Sequence, residues 1–147
     1  VKRIYWAVAL GVFERGEGDV DAPIGRHPTQ RVKMAVLEEG RSGGKPALTH
    51  WKVLRQFSRA AWLECRLATG RTHQIRVHLT HLGHPLLGDP VYRGRTSGTT
   101  IPFHRHALHA VRLGLDHPVS GEAMEWEAPP PGDFADLLKV LEQNDAP

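Results

Sequence analysis

Along most of the chain, apolar and polar residues alternate, which is the period of strands that bury one face. Residues 48–57 and 60–67 both alternate, and only Ser58-Arg59 separates them, so together they predict a hairpin. Residues 3–10, bounded by Gly11, read as another strand. Residues 108–115 alternate again, with Leu108, Ala110, Arg112 and Gly114 on one face and His109, Val111, Leu113 and Leu115 on the other. A link at 118–121 leads to a further strand at 124–128. Residues 14–19 are acidic and glycine-rich and read as a turn. Residues 23–31 hold two prolines and a glycine and read as a basic loop. Residues 41–46 read as a glycine-rich basic turn, and 93–104 as a mobile loop rich in glycine and threonine.

The period changes at residues 72–82. Ile75, Leu79 and Leu82 recur at i, i+4 and i+7, one face of a helix. Thr72 can cap its start, Gly83 suits its left-handed end, and Pro85 follows. After the stiff Pro129–Pro131 connector, Asp133 is placed to cap a final helix with Phe134, Leu137, Leu138 and Leu141 on one side. Strands dominate, so the pattern predicts an α+β domain: a mostly antiparallel sheet with flanking helices. The 147 residues suffice for one domain, with no internal repeat or boundary, and Val1 runs straight into a strand, so the domain's N-terminal part is expected to be missing. No run of about 18 apolar residues exists, and the start lacks a signal-peptide layout. The single cysteine, Cys65, excludes an internal disulfide, and a cytoplasmic setting is expected.

The net charge of +3 conceals an asymmetry. Residues 1–115 carry 18 basic and 8 acidic side chains, whereas residues 116–147 carry one lysine and 8 acids. Within 66–112, seven arginines and seven histidines face one acid, Asp89. Arginine rather than lysine favours oriented, two-pronged contacts with phosphate or carboxylate. The alternative is a solvated surface balanced by the acidic tail.

The segment Thr69-Gly70-Arg71-Thr72-His73-Gln74-Ile75-Arg76-Val77-His78-Leu79 concentrates this chemistry. A strand ends in a glycine turn and feeds a helix, whose start carries free N–H groups and the positive dipole end. Arg71 and His73 sit there, Arg76 shares a face with His73, and Ile75 and Leu79 anchor the opposite side. The residues alone describe an anion site of unknown purpose, or an ordinary solvated basic helix start.

This segment, followed by Gly83-His84-Pro85-Leu86-Leu87-Gly88-Asp89-Pro90-Val91-Tyr92, resembles the signature of the RluA-type pseudouridine synthase family. Tyr5-Trp6-Ala7 with Gly11 resembles that family's tyrosine-bearing strand, and Asp21-Ala22-Pro23-Ile24-Gly25-Arg26, Gly44-Lys45-Pro46 and the 107–129 region agree in order. The resemblance implies an isomerase that turns selected uridines of structured RNA into pseudouridine without cofactor or metal. An aspartate starts the reaction, a tyrosine stacks on the flipped base and takes the C5 proton, and an arginine pairs with the aspartate. Tyr5 matches the tyrosine and Arg76 the arginine. The aspartate of the family's Arg-Leu-Asp motif matches nothing here: Arg112-Leu113-Gly114 belongs to a late strand, and Asp89 lies in a Gly-Asp-Pro turn suited to a local backbone hydrogen bond. The chain therefore reads as the C-terminal portion of a catalytic domain, without an S4-like domain and inactive alone.

The expected partner is RNA, foremost large-subunit (23S) ribosomal RNA, with transfer RNA as the alternative target. Arg26, Arg31, Arg71, His73, Arg93 and Arg95 are the candidate RNA contacts, and a monomer is expected. The competing class is a non-catalytic RNA-binding module of the same fold. A metal site built on His73, His78, His81, His84, His104, His106 and His109 is disfavoured, since no paired cysteines and no His-Glu-x-x-His pattern exist.

Overall fold

A computed structural model describes residues 2–30, 32–37, 43–93, 103–116 and 119–145. Six strands make one sheet: β1 (Lys2–Leu10), β2 (Glu17–Asp21), β5 (Leu48–Gln56), β6 (Ala60–Leu67), β7 (Leu108–Asp116) and β8 (Ala123–Glu127). Their order is β2-β5-β6-β1-β7-β8, and every pairing is antiparallel. A small hairpin, β3 (Ile24–Arg26) and β4 (Met34–Val36), stands apart. Two helices complete the fold, α1 (Gln74–His81) and α2 (Gly132–Asp145). The α+β expectation holds.

The alternation of β1 decides which helix covers which face. Ala7 and Ala9, with Tyr5 packed alongside, join Leu63, Cys65, Trp51, Ile75 and Leu79 of α1 in one cluster. Val8 and Leu10 join Phe57, Ala60 and Phe134, Leu137 and Leu141 of α2 in the other. The central strand is thus buried on both sides. Burial raises the Cys65 thiol to about 12, so it packs as an apolar group and is not reactive.

Several local expectations change. Residues 14–19 are only partly a turn: β2 begins at Glu17, because Gly18 lets the edge strand lie over the Trp51 indole. The expected loop at 23–31 contains β3, and Lys45 exchanges backbone hydrogen bonds with Ile24. Leu82 lies beyond the end of α1 and is 38% exposed, so it is not part of the buried stripe. In β7 the two-residue alternation is interrupted, since β1 partners shift from Arg112 to Ala110 across Ile4 and Tyr5. Asp133 sits inside the first turn of α2, where Arg105 holds its carboxylate in a fork at 2.9 and 3.1 Å. Most of the expected 93–104 loop, including Arg95, lies outside the described residues, as does Arg31.

The segment after α1 is threaded between β1 and the approach to β7. Leu87 N–H donates to Val8 O, Val8 N–H to Ala107 O, and Ala107 N–H to Leu87 O, all at 2.9–3.0 Å. Gly88 turns this segment at φ +77°, and a β-carbon there would lie 2.1 Å from the Arg105 carbonyl oxygen. Backbone strain and a backbone collision therefore add. Gly88→Ala is expected to destabilise the domain by roughly 3 kcal/mol or more in chemical denaturation. A midpoint unchanged from the parent would show that no such close approach exists.

Candidate functional site

Arg76 projects from the middle of α1 and meets Asp89 of the threaded segment. Its Nε and Nη2 donate to Oδ2 and Oδ1 at 2.8 and 3.0 Å. The Arg76 side chain is 11% exposed and that of Asp89 is fully buried. Asp89 Oδ1 also accepts the Val91 and Tyr92 N–H groups at 2.9 and 3.0 Å. The Arg76 guanidinium lies 5.0 Å from the centre of the Tyr92 ring. Burial acts to raise the Asp89 pKa, but the hydrogen bonds from Arg76, Val91 and Tyr92 outweigh it and hold the carboxyl below its usual range. The Asp89 hydrogen bond in turn raises Arg76, despite burial.

Asp89 serves its local backbone as expected, and it also pairs with Arg76. Arg76, expected to pair with a carboxylate that matches nothing in this sequence, holds Asp89 besides. Among the described residues its Nη1 makes no hydrogen bond, so that corner of the guanidinium is what remains for a second anion. Asp89 itself is buried with both oxygens engaged, so it is not placed to attack a sugar carbon.

The start of α1 is built differently from the expected Thr72 cap. His73 precedes the helix in the left-handed region, at φ 57° and ψ 24°, with no side-chain cap. The Gln74 side chain does the work instead. Its Oε1 accepts the Thr69 hydroxyl at 2.7 Å and the Arg71 N–H at 3.0 Å, and its Nε2 donates to Leu48 O and Thr49 Oγ1 at 2.9 Å. His78 Nε2–H donates to Ala22 O at 2.9 Å, and in the neutral ring that leaves Nδ1 to accept the Thr49 hydroxyl proton at 2.7 Å. Both His78 nitrogens are thereby used in structure and neither is offered to a metal. Among the described residues no group of three or more His, Cys, Asp or Glu side chains gathers as a metal site would.

Tyr92 joins these parts. Its hydroxyl accepts the Met34 N–H at 2.8 Å and lies within hydrogen-bond distance of His73 Nδ1, at 2.8 Å. The surroundings of His73 favour its neutral form. Its pKa is lowered by burial first and by Arg76 second. His106, on the approach to β7, is lowered by burial and then by the same arginine.

Tyr5 is half-buried on the sheet face that α1 covers, against the cluster containing Ile75, the residue before Arg76. The two expected catalytic side chains thus belong to one side of the sheet. Arg71 is anchored near the helix start by its Nε–H to Pro46 O at 2.8 Å. Arg26 and Arg93 are exposed. Sequence reading missed Gln74 as the hub. A buried amide in an otherwise charged segment was the available signal.

Comparison with known proteins agrees with this architecture. A family model described as RNA pseudouridylate synthase matches residues 1–81. The chain belongs to this family. It is 52% identical to the ribosomal large subunit pseudouridine synthase D of Nitrosomonas europaea over 147 residues, which cover 96% of this chain and 41% of the relative. It is 49% identical to the Pseudomonas aeruginosa protein of the same name and 48% to that of Escherichia coli strain K12, covering 47% and 45% of those relatives. The chain therefore spans less than half the length of these curated relatives. Two human pseudouridylate synthase structures share the fold. RNA Pseudouridylate Synthase Domain Containing 1 has a TM-score of 0.75 at 29% identity, over 99% of this chain and 67% of that one. Domain Containing 4 has a TM-score of 0.77 at 25% identity, over 96% and 62%. The RluA-type resemblance carried by the Thr69–Tyr92 motifs is thus matched in both sequence and fold.

Two outcomes follow for this pseudouridylate synthase domain. Asp89→Asn leaves a nearly buried guanidinium without its carboxylate and is expected to cost about 3–5 kcal/mol in denaturant unfolding. A loss under about 1 kcal/mol would contradict the buried pair. The second concerns pH. His73, His78 and His106 all have lowered folded-state values, so each contributes stability above the ordinary histidine range and loses it as pH falls. Unfolding free energy is expected to drop from pH 8 to pH 5, while the Asp89 contribution is full above the ordinary aspartate range and is lost only as pH falls from there through its depressed folded value. Equal stability at pH 8 and pH 5 would contradict the neutral-histidine assignment.

Proposed function

We propose that this chain is the C-terminal portion of the catalytic domain of an enzyme that isomerises uridine to pseudouridine in RNA, most plainly large-subunit ribosomal RNA. The observation that carries the reading is the placement of a half-buried tyrosine and a rigidly held arginine on one side of the sheet, in a chain of this family. The named functions of the relatives supply the substrate class.

On this reading Tyr5 stacks on the base once it leaves the RNA stack, an extrusion costing a few kcal/mol. Its hydroxyl receives the C5 proton. Asp89 grips two of the three Arg76 nitrogens, and the third, Nη1, meets the nucleophilic aspartate end-on and keeps it ionised. That aspartate comes from polypeptide outside these 147 residues, so the chain alone is inactive. Arg26, Arg71, His73 and Arg93, together with Arg31 and Arg95, contact the RNA. The protein needs no cofactor or metal, acts as a monomer and works in the cytoplasm. Among the described residues no helix is long and apolar enough to cross a membrane.

The decisive experiment measures pseudouridine in ribosomal RNA treated with the intact protein and its variants. Tyr5→Phe is expected to keep RNA affinity while turnover falls by at least about 100-fold, the usual worth of positioned proton transfer. Arg76→Lys keeps the charge but loses the fork, and a comparable loss of turnover is expected with little change in RNA binding. Full activity in either variant refutes the role assigned to it. RNA binding with no pseudouridine from the intact parent would favour a non-catalytic RNA-binding module.

A further inference from the structure

A cleft of about 340 Å³ opens between the β3–β4 hairpin and the turn that precedes α1. Three cationic side chains line it, Arg26, Lys45 and Arg71, and among the described residues no acidic side chain does. Each is held by a different element. Arg26 stands on β3 opposite Met34. Lys45 is fixed by two backbone hydrogen bonds with Ile24, both 2.9 Å. Arg71 is steered by its Nε–H bond to Pro46 O, and among the described residues its two terminal nitrogens make no other hydrogen bond. Gly25 lets the neighbouring backbone close up on it, because a β-carbon there would strike Gly43 O and Leu37 Cδ1 at 2.5 Å. Three cationic side chains carried by different elements around one cleft suit a bound phosphate, which can take a charged hydrogen bond from each.

The positive track continues from this cleft toward Tyr5. The Arg3 guanidinium lies over Gly70, where an added β-carbon would fall 1.8 Å from its Nη1. Arg3 is two residues before Tyr5 on β1 and shares its face by strand alternation, about 7 Å away along the strand. A sequence of cation, cation cluster and aromatic along one face matches an RNA strand whose backbone is gripped beside a base held for stacking.

We propose that the Arg26–Lys45–Arg71 cleft is a phosphate subsite for the RNA backbone, and that Arg3 over Gly70 links it to the nucleotide at Tyr5. The assignment rests on the RNA reading of the active site and adds Lys45 and Arg3 to it. The subsite positions the strand and carries no base information.

The test uses the intact protein and a transcript of large-subunit ribosomal RNA, with oligouridine as a sequence-neutral probe. Binding is measured from low to high salt for the parent, for the Arg26→Gln/Lys45→Gln/Arg71→Gln variant, and for Gly70→Ala, which displaces the Arg3 guanidinium. An Arg15→Gln/Lys52→Gln variant removes cations from the opposite, charge-paired face of the sheet, where Glu17, Asp19 and Glu64 lie close by. The cleft variant is expected to bind both probes on the order of tenfold more weakly at low salt. The slope of log affinity against log salt should shrink by about 1. Gly70→Ala should weaken binding in the same sense with a smaller effect, and the opposite-face variant should match the parent. Equal loss from the opposite-face variant would overturn the subsite in favour of diffuse attraction, and so would an unchanged slope in the cleft variant. Failure of the cleft with pseudouridine still formed leaves the isomerase reading standing. Loss of binding in the cleft variant with no pseudouridine from the parent leaves an RNA subsite without the enzyme.

Discussion

Arg76 and Asp89 are buried together, and the cost of taking both charges out of water constrains everything around them. An ionised group removed from water costs several kcal/mol even after relaxation, so a pair survives only when its remaining hydrogen-bonding capacity is met. Here Asp89 receives four hydrogen bonds, two from Arg76 and two from the backbone of Val91 and Tyr92. Those bonds fix the turn after Gly88, and that turn sets Tyr92. The Tyr92 hydroxyl then ties β4 to His73 at the mouth of α1. One ion pair thereby links helix α1, the threaded segment and the small hairpin into a single unit.

A pair of well-packed apolar residues would hold the same elements at no greater cost. The gain from a guanidinium lies in its aim. Arginine presents a planar fork, and fastening two of its nitrogens leaves little freedom in the third. Under the isomerase reading, that fixed corner receives the nucleophilic carboxylate. Asp89 is then a positioning residue, and its burial keeps its own oxygens out of the reaction. The Tyr92 ring beside the guanidinium and the histidines held neutral nearby keep competing charge away from Arg76.

Much of the fold was legible because its strands bury one face at a time. The β5–β6 hairpin across Ser58-Arg59 and the strand preceding Gly11 read directly from period-two alternation. The small strands β2 and β3 did not. Each is five residues or fewer, and their pairing depends on Trp51 beneath Gly18 and on Lys45 beside Ile24, contacts far away in sequence. At the site, Tyr5 and Arg76 were singled out through their motifs. The Arg76 partner was not, because Asp89 is thirteen residues away across a turn that only the close approach of Gly88 to Arg105 makes possible. Thr72 misled as a cap because the helix begins only at Gln74, after a left-handed His73, and the longer Gln74 side chain ties the turn instead.

That longer reach explains how the helix start can be both strained and exact in position. A left-handed histidine costs about 1 kcal/mol or more, and histidine visits that region more readily than most residues. Gln74 offsets the cost by tying the turn to the start of β5 through Leu48 and Thr49, and to the end of β6 through Thr69. The 70–72 turn is consequently pinned at both ends, with Gly70 leaving room for Arg3 and Arg71 braced on Pro46. A flexible turn would let these cations drift apart. A pinned one holds them where a phosphate can bridge them, and sets the phosphate cleft and Arg76 at the two ends of one rigid segment, residues 70–76.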